Sequence, residues 1–349
     1  MTRRPVSPFA LVATLLVLGG AHESGAAAPP APIDFGFAWP APGRLAVEWS
    51  LESTQFEGES PWSLKLVDSF ALRIEPRGEE LEIRLERLAR PEPILWGLFP
   101  ADFPEPVMKA IDGGYHDFVP GFRVSRGGAY LGLIEPDSVR ERFTAYHARV
   151  RGAVPNGHEQ SSEWLESVDD LITTRAVNQG LSNLWGALVA EHDSLRLAVG
   201  ERITRRSLET TTIPGVYFQM LGEWTLARQL DCGAPGPPGP SVHSCVELRT
   251  RLAPTDESAT AFLHAIRKSL GGNMDLPDPT FSYRLERTLI THPGTLVPVS
   301  FEDRKQSELR FGAYTVYRLR WVQRFRFVAE PAPAPGTTPA AAASGGGPL

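Results

Sequence analysis

The chain has 349 residues, 42% of them hydrophobic, and a formal net charge of −6. That is enough chain and apolar content for one large domain or two small ones. The acidic balance argues against a nucleic-acid binder, whose domains carry a basic excess.

The N-terminus reads as a secretory signal peptide over residues 1–26. Arg3 and Arg4 form a charged start, Phe9 to Leu18 an apolar run, and Gly19-Gly20-Ala21 or Ser24-Gly25-Ala26 a small-residue exit for cleavage after Ala21 or Ala26. The run is shorter than the about 20 apolar residues that span a bilayer, and no second long apolar segment follows. No cysteine stands near the exit for lipid attachment. The expected product is an exported soluble protein, periplasmic or extracellular, that does not span the membrane. Residues 27–32 read as an Ala/Pro linker, 33–328 as one folded domain and 329–349 as a disordered Pro/Ala/Gly tail.

The folded part opens with strands. Leu45, Val47, Trp49 and Leu51 alternate with polar residues, as do the segments 70–75 and 81–86 on either side of the turn residues Pro76-Arg77-Gly78-Glu79-Glu80. A second hairpin is expected around Arg126-Gly127-Gly128. Phe35 to Pro40 and Ile94 to Pro100 are apolar loops that either line the mouth of a cavity or plug the end of a sheet. The dominance of aromatics in cores favours the plug.

The middle is helical. Pro136-Asp137-Ser138 starts a helix to about Arg149, with Val139, Phe143, Tyr146 and Val150 on one face. Ser161-Ser162-Glu163 starts a longer one, whose stripe from Trp164 through Leu181, Leu184, Trp185 and Leu188 suits packing on a sheet. Strands return at 195–199, 216–220 and 246–250. Thr255-Asp256-Glu257 caps a helix from Ser258 to Leu270, and the last strands are 281–287, 295–299 and 314–328. Strands, then helices, then strands predict an α+β fold: a curved antiparallel sheet, open or as a partial barrel, packed against a central helical segment.

Two cysteines, Cys232 and Cys245, flank a Pro/Gly-rich stretch that cannot form a helix. In an exported chain they predict one disulfide, worth roughly 3 kcal/mol in the chain-entropy model. No catalytic, cofactor or metal motif occurs, so no catalytic, cofactor-binding or metal residues are assigned and the expectation is a non-enzyme. His158-Glu159 and Glu191-His192 pair a base with a carboxylate, at positions where such side chains are ordinarily solvated.

The last strand is the sharpest pattern. Arg318, Arg320, Arg324 and Arg326 lie on one face and Tyr317, Leu319, Trp321, Phe325 and Phe327 on the other. The arginines read either as a ladder for an anionic partner or as a wet face pairing with Glu286, Glu302 or Glu308. The acidic total favours the second reading.

The layout, together with Leu289 to Pro298 as a strand-turn-strand phrase, resembles that of secreted bacterial proteins of unknown function. A curved antiparallel sheet over helices is also similar to periplasmic lipoprotein carriers of the LolA/LppX type. That resemblance implies an architecture and carries no residue roles.

Three functions compete. A non-enzymatic envelope binding protein for an apolar or amphiphilic small molecule or lipid predicts an apolar cavity lined by Trp49, Leu72, Ile83 and Trp321, and fails if Trp164, Trp185 and their neighbours fill that space. A structural or protein-interaction module predicts a filled core. A hydrolase predicts a cleft with convergent carboxylates or a His-carboxylate pair.

Overall fold

A computed structural model describes residues 30–57, 60–88, 106, 110, 121–154, 174–210, 217–232, 244–269 and 277–329. The signal-peptide reading, the 94–100 loop, Trp164, the start of the long central helix, the His158-Glu159 pair and the 330–349 tail lie outside them.

Eleven strands form one antiparallel sheet. Along the chain they are β2 (Gly43–Glu57), β3 (Ser60–Arg77), β4 (Glu80–Arg87), β5 (Gly121–Ser125), β6 (Tyr130–Leu133), β8 (Arg202–Thr210), β9 (Tyr217–Asp231), β10 (Ser244–Pro254), β11 (Pro279–Thr291), β12 (Pro298–Phe311) and β13 (Tyr314–Ala329). Two further strands, β1 (Ile33–Asp34) and β7 (Arg196–Leu197), pair only with each other.

The sheet order is β6-β5-β4-β3-β2-β13-β12-β11-β10-β9-β8. It consists of two meanders, β2 to β6 and β8 to β13, closed on one another by the pairing of β2 with β13. The sheet is open, with β6 and β8 as its edges. This is the expected α+β arrangement of an antiparallel sheet with helices, without closure into a barrel.

Alternation separates the faces. Leu45, Val47 and Trp49 share a face with Leu72, Phe70 and Asp68 of β3, and with Ala329, Phe327 and Phe325 of β13. The same inner face continues through Ile74 and Ile83 to Phe122 on one side, and through Phe301, Leu289, Leu248 and Leu226 on the other. The outer face is charged.

Three helices occur among the described residues: α1 (Pro136–Gly152), α2 (Thr174–Trp185, continued by a π-turn over Gly186–Ala190) and α3 (Asp256–Ser269). Val139, Phe143 and Val150 of α1 are buried, as their spacing predicts. The start of α3 is held by Thr255, whose Oγ1 accepts the Ser258 amide at 3.3 Å. Its Phe262 packs on Phe218 and Phe281 at the far end of the inner face.

The central core is aromatic. Trp185 of α2 meets Phe37, Trp39 and Phe122 at ring-centroid distances of 5.7, 5.0 and 5.5 Å. Its Nε1 donates to the Gly128 carbonyl at 2.7 Å. Gly128 sits at φ +82°, and a Cβ there would strike the Phe37 ring, so the turn and the aromatic packing both demand glycine. The segment from Phe35 to Trp39 therefore plugs the core.

Three expectations need correction. The strand at 195–199 shrinks to Arg196–Leu197 and joins the small sheet, because Ser194 turns at positive φ and brings Leu195 and Leu197 into the core. Only Pro298 and Val299 of the segment 295–299 are strand: Leu296, at φ +55°, is buried and its amide donates to the His292 carbonyl, so β12 starts at Pro298. Finally β8 and most of β12, which show no apolar alternation, are long strands of the main sheet.

Candidate binding cavity

The inner face is not filled evenly. A cavity of about 310 Å³ lies between α2 and the sheet. Three central strands present its floor in register: Tyr283, Leu285 and Arg287 from β11, Phe301, Asp303 and Lys305 from β12, Leu319, Trp321 and Gln323 from β13. Glu209 of edge strand β8 and Gly180, Asn183, Leu184 and Ala187 of α2 complete the lining. A smaller apolar void of about 50 Å³ lies nearby, bordered by Leu72, Phe70, Leu184, Trp185 and Phe325.

A buried charge cluster sits in the floor. The Arg287 side chain is 9% exposed, with Glu191 at 3.3 Å and Glu209 at 3.1 Å from its terminal nitrogens and Asp303 at 3.8 Å from Nε. The π-turn delivers Glu191 to this place: its amide reaches back five residues to the Gly186 carbonyl, a device that re-aims helix ends at special sites. Burial alone would lower the Arg287 pKa, but the surrounding carboxylates Glu191, Asp303 and Glu209 outweigh it and the net shift is upward. Arg287 is thus a permanent buried cation that organises three carboxylates.

The other groups are less well served. Asp303 is 8% exposed, its Oδ1 has no hydrogen-bond partner, and burial, opposed by Arg287, pushes its pKa up to about 6. Lys305 has no carboxylate within ion-pair distance among the described residues. Its Nζ lies over the Tyr283 ring at 5.1 Å and burial lowers its pKa. Tyr283 is raised, by burial and then by Glu209.

His192 stands beside this cluster and is not solvated. It is buried, its Nε2 meets the Ala187 carbonyl at 2.9 Å, and desolvation pulls its pKa down to about 4. No group of three potential metal-binding side chains converges among the described residues.

The residues singled out from sequence lie elsewhere. The Cys232–Cys245 disulfide is formed at the end of β9 and the start of β10, with a Cα–Cα separation of 5.7 Å. Arg318, Arg320, Arg324 and Arg326 line the outer face. Arg318 pairs with Glu308 at 2.6 Å, Arg324 with Glu302 at 2.8 Å and Arg326 with Glu48 at 3.4 Å, while Arg320 is exposed.

Of the four residues expected to line one apolar cavity, Trp321 borders the large cavity and Leu72 the small void. Ile83 is sealed in the core, and Trp49 packs there against Phe325. Sequence reasoning missed Arg287, Asp303, Lys305 and Glu209. The available signal was polar residues at the inward positions of otherwise regular strands.

No family model matches the chain, and no curated protein matches it. Among solved structures it is similar to one that reports lipid–protein interactions in lipovitellin, at 11% identity and a TM-score of 0.42. The match covers 87% of this chain and 27% of that one, so the chain spans little more than a quarter of that structure's length.

Proposed function

We propose that this is an exported, non-enzymatic binding protein that holds a small amphiphile between α2 and the sheet. One observation carries the reading. A single cavity has an apolar side of Leu184, Leu285, Phe301, Leu319 and Trp321, and a charged side of Glu209, Arg287, Asp303 and Lys305. Ligand sites combine apolar walls with a few placed polar groups in this way, and about 310 Å³ is at the small end of their range. The apolar part of the guest would lie against Trp321 and its neighbours, and its head against the β11 and β12 charges. Export is supported by the signal-like N-terminus and by the formed disulfide, which belongs to oxidising compartments.

The test is a binding titration of short-chain amphiphiles, with octyl maltoside and octyl phosphoethanolamine as first probes below their micelle concentrations. It would be followed calorimetrically and by the emission of Trp321 against Trp321→Phe. Saturable one-to-one binding, lost when Ala187→Leu fills the cavity from the helix side, is the expected result. Absence of saturable binding by every octyl probe overturns the reading.

A further inference from the structure

Within that amphiphile-binding reading, we infer that the charged side of the cavity is a subsite for a zwitterionic headgroup, with an oxyanion on Lys305 and a primary ammonium on Asp303. Arg287 is already occupied by Glu191 and Glu209 at 3.3 and 3.1 Å. Lys305, with no ion pair among the described residues, and Asp303, held only by the longest of the three Arg287 contacts at 3.8 Å, stand on the same face of β12, both bordering the cavity.

They do not satisfy each other. Two residues apart on a strand, their Cα atoms are separated by roughly 7 Å, and no ion pair joins them. The Lys305 Nζ donates no hydrogen bond among the described residues. It is also one of only four lysines in a chain whose cations are otherwise arginine, and its compact ammonium with rotatable donors suits a point contact to an oxyanion. The Asp303 carboxylate accepts no hydrogen bond among the described residues, its nearest cation being Arg287 Nε at 3.8 Å. A buried carboxylate such as Asp303 and a half-buried ammonium such as Lys305 left in this state are costly unless a partner arrives.

The placement of the charges, not their sum, selects the class. Glu191, Glu209 and Asp303 face Arg287 and Lys305, so three carboxylates meet two cations. A purely anionic head on Lys305 would also meet Glu209 and Asp303. A purely cationic head on Asp303 would also meet Lys305 and Arg287. A head bearing both signs several ångströms apart meets each with its opposite. The ammonium should carry N–H groups, because Asp303 lacks hydrogen-bond donors. Burial already holds its carboxyl at about 6, a strain that a donated hydrogen bond relieves.

The experiment compares octyl phosphoethanolamine, octyl phosphocholine, octyl phosphate, octylammonium and octyl maltoside on the full chain by calorimetry. Phosphoethanolamine is expected to bind about tenfold tighter than each of the others, the scale of one charge-assisted hydrogen bond. Asp303→Asn should remove its advantage over octyl phosphate, and Lys305→Gln its advantage over octylammonium. Equal binding of all five probes overturns the headgroup assignment and leaves the amphiphile reading standing. Binding by none overturns both. The wild-type series decides the matter even if a buried substitution impairs folding.

Discussion

The strands β2 to β5 and the strands β11 to β13 offer the same kind of alternating inner face to the same helix, yet they pack in different ways. In the first group the inward positions around the helix are Leu45, Val47, Leu72, Ile74, Ile83 and Phe122, with the buried carboxylate of Asp68 further along the same face, and Trp185 closes on the apolar set with Phe37 and Trp39. In the second group Arg287, Asp303 and Lys305 take inward positions among Leu285, Phe301 and Trp321, and a cavity remains. Apolar side chains can interdigitate to near-crystalline density. Ionisable ones must keep their partners at fixed geometry and leave space that packing does not fill. One half is built to hold the fold, the other to keep a polar chamber within it.

The charged half depends most on Arg287. Arg287→Met leaves Glu191, Glu209 and Asp303 together without their shared cation. It should destabilise by about 3–5 kcal/mol in urea unfolding, the cost of breaking a buried ion pair from one side. A loss below about 1 kcal/mol would show that the cluster is solvated and the contrast false.

Next comes a paired truncation. Ile83 is fully buried in the sealed half, whereas Leu285 borders the cavity. Ile83→Ala should cost about 4 kcal/mol and Leu285→Ala about 2, because a new void in a tight core adds its own penalty while an existing one merely widens. Equal costs would mean that the two halves are packed alike.

Two buried groups of the charged half titrate in opposite senses. Asp303 is raised to about 6 from 3.8, so its contribution to stability is present below pH 3.8 and is lost as pH rises through 6. His192 is lowered to about 4 from 6.5, so its contribution is present above pH 6.5 and is lost as pH falls through 4. Each is worth about 3 kcal/mol over its window, and between pH 4 and 6.5 they oppose one another. Wild-type stability should therefore change little from these two groups. Asp303→Asn should become acid-labile across that range by about 3 kcal/mol relative to wild type, and His192→Gln should shift the opposite way. Thermal melts at pH 4 and pH 6.5 read both, and parallel curves for all three proteins would refute the assignment.

The smallest effect lies on the outer face. Arg324 pairs with Glu302 at 2.8 Å and Glu52 at 3.5 Å on a half-exposed surface. Arg324→Gln should cost less than about 1 kcal/mol and become still milder in high salt.

Much of the fold was legible. Leu45 to Leu51, the hairpin around Gly78, the α1 face and the Arg-rich last strand follow period-2 or period-3.6 patterns, because one side of each element meets water and the other meets apolar neighbours. The strands that escaped notice are β8, with Arg205, Ser207 and Glu209 inward, and β12, with Asp303 and Lys305 inward. Their alternation is broken by polar inward residues, of which Glu209, Asp303 and Lys305 border the cavity. Local pattern and global fold disagree there, which is where functional sites are expected.

Local periodicity in the chain is enough to give the class of object: an α+β chain with a signal-like start, two cysteines placed to pair, and amphipathic strands and helices. Which strands meet across the middle of the sheet, and that β11 to β13, β8 and α2 line a cavity with a charged side, emerges with the assembled fold. That constellation draws Glu191, Glu209, Arg287, Asp303 and Lys305 from four separate segments. Burial and pairing over such separations are set by the register of the assembled sheet, and no local spacing encodes them.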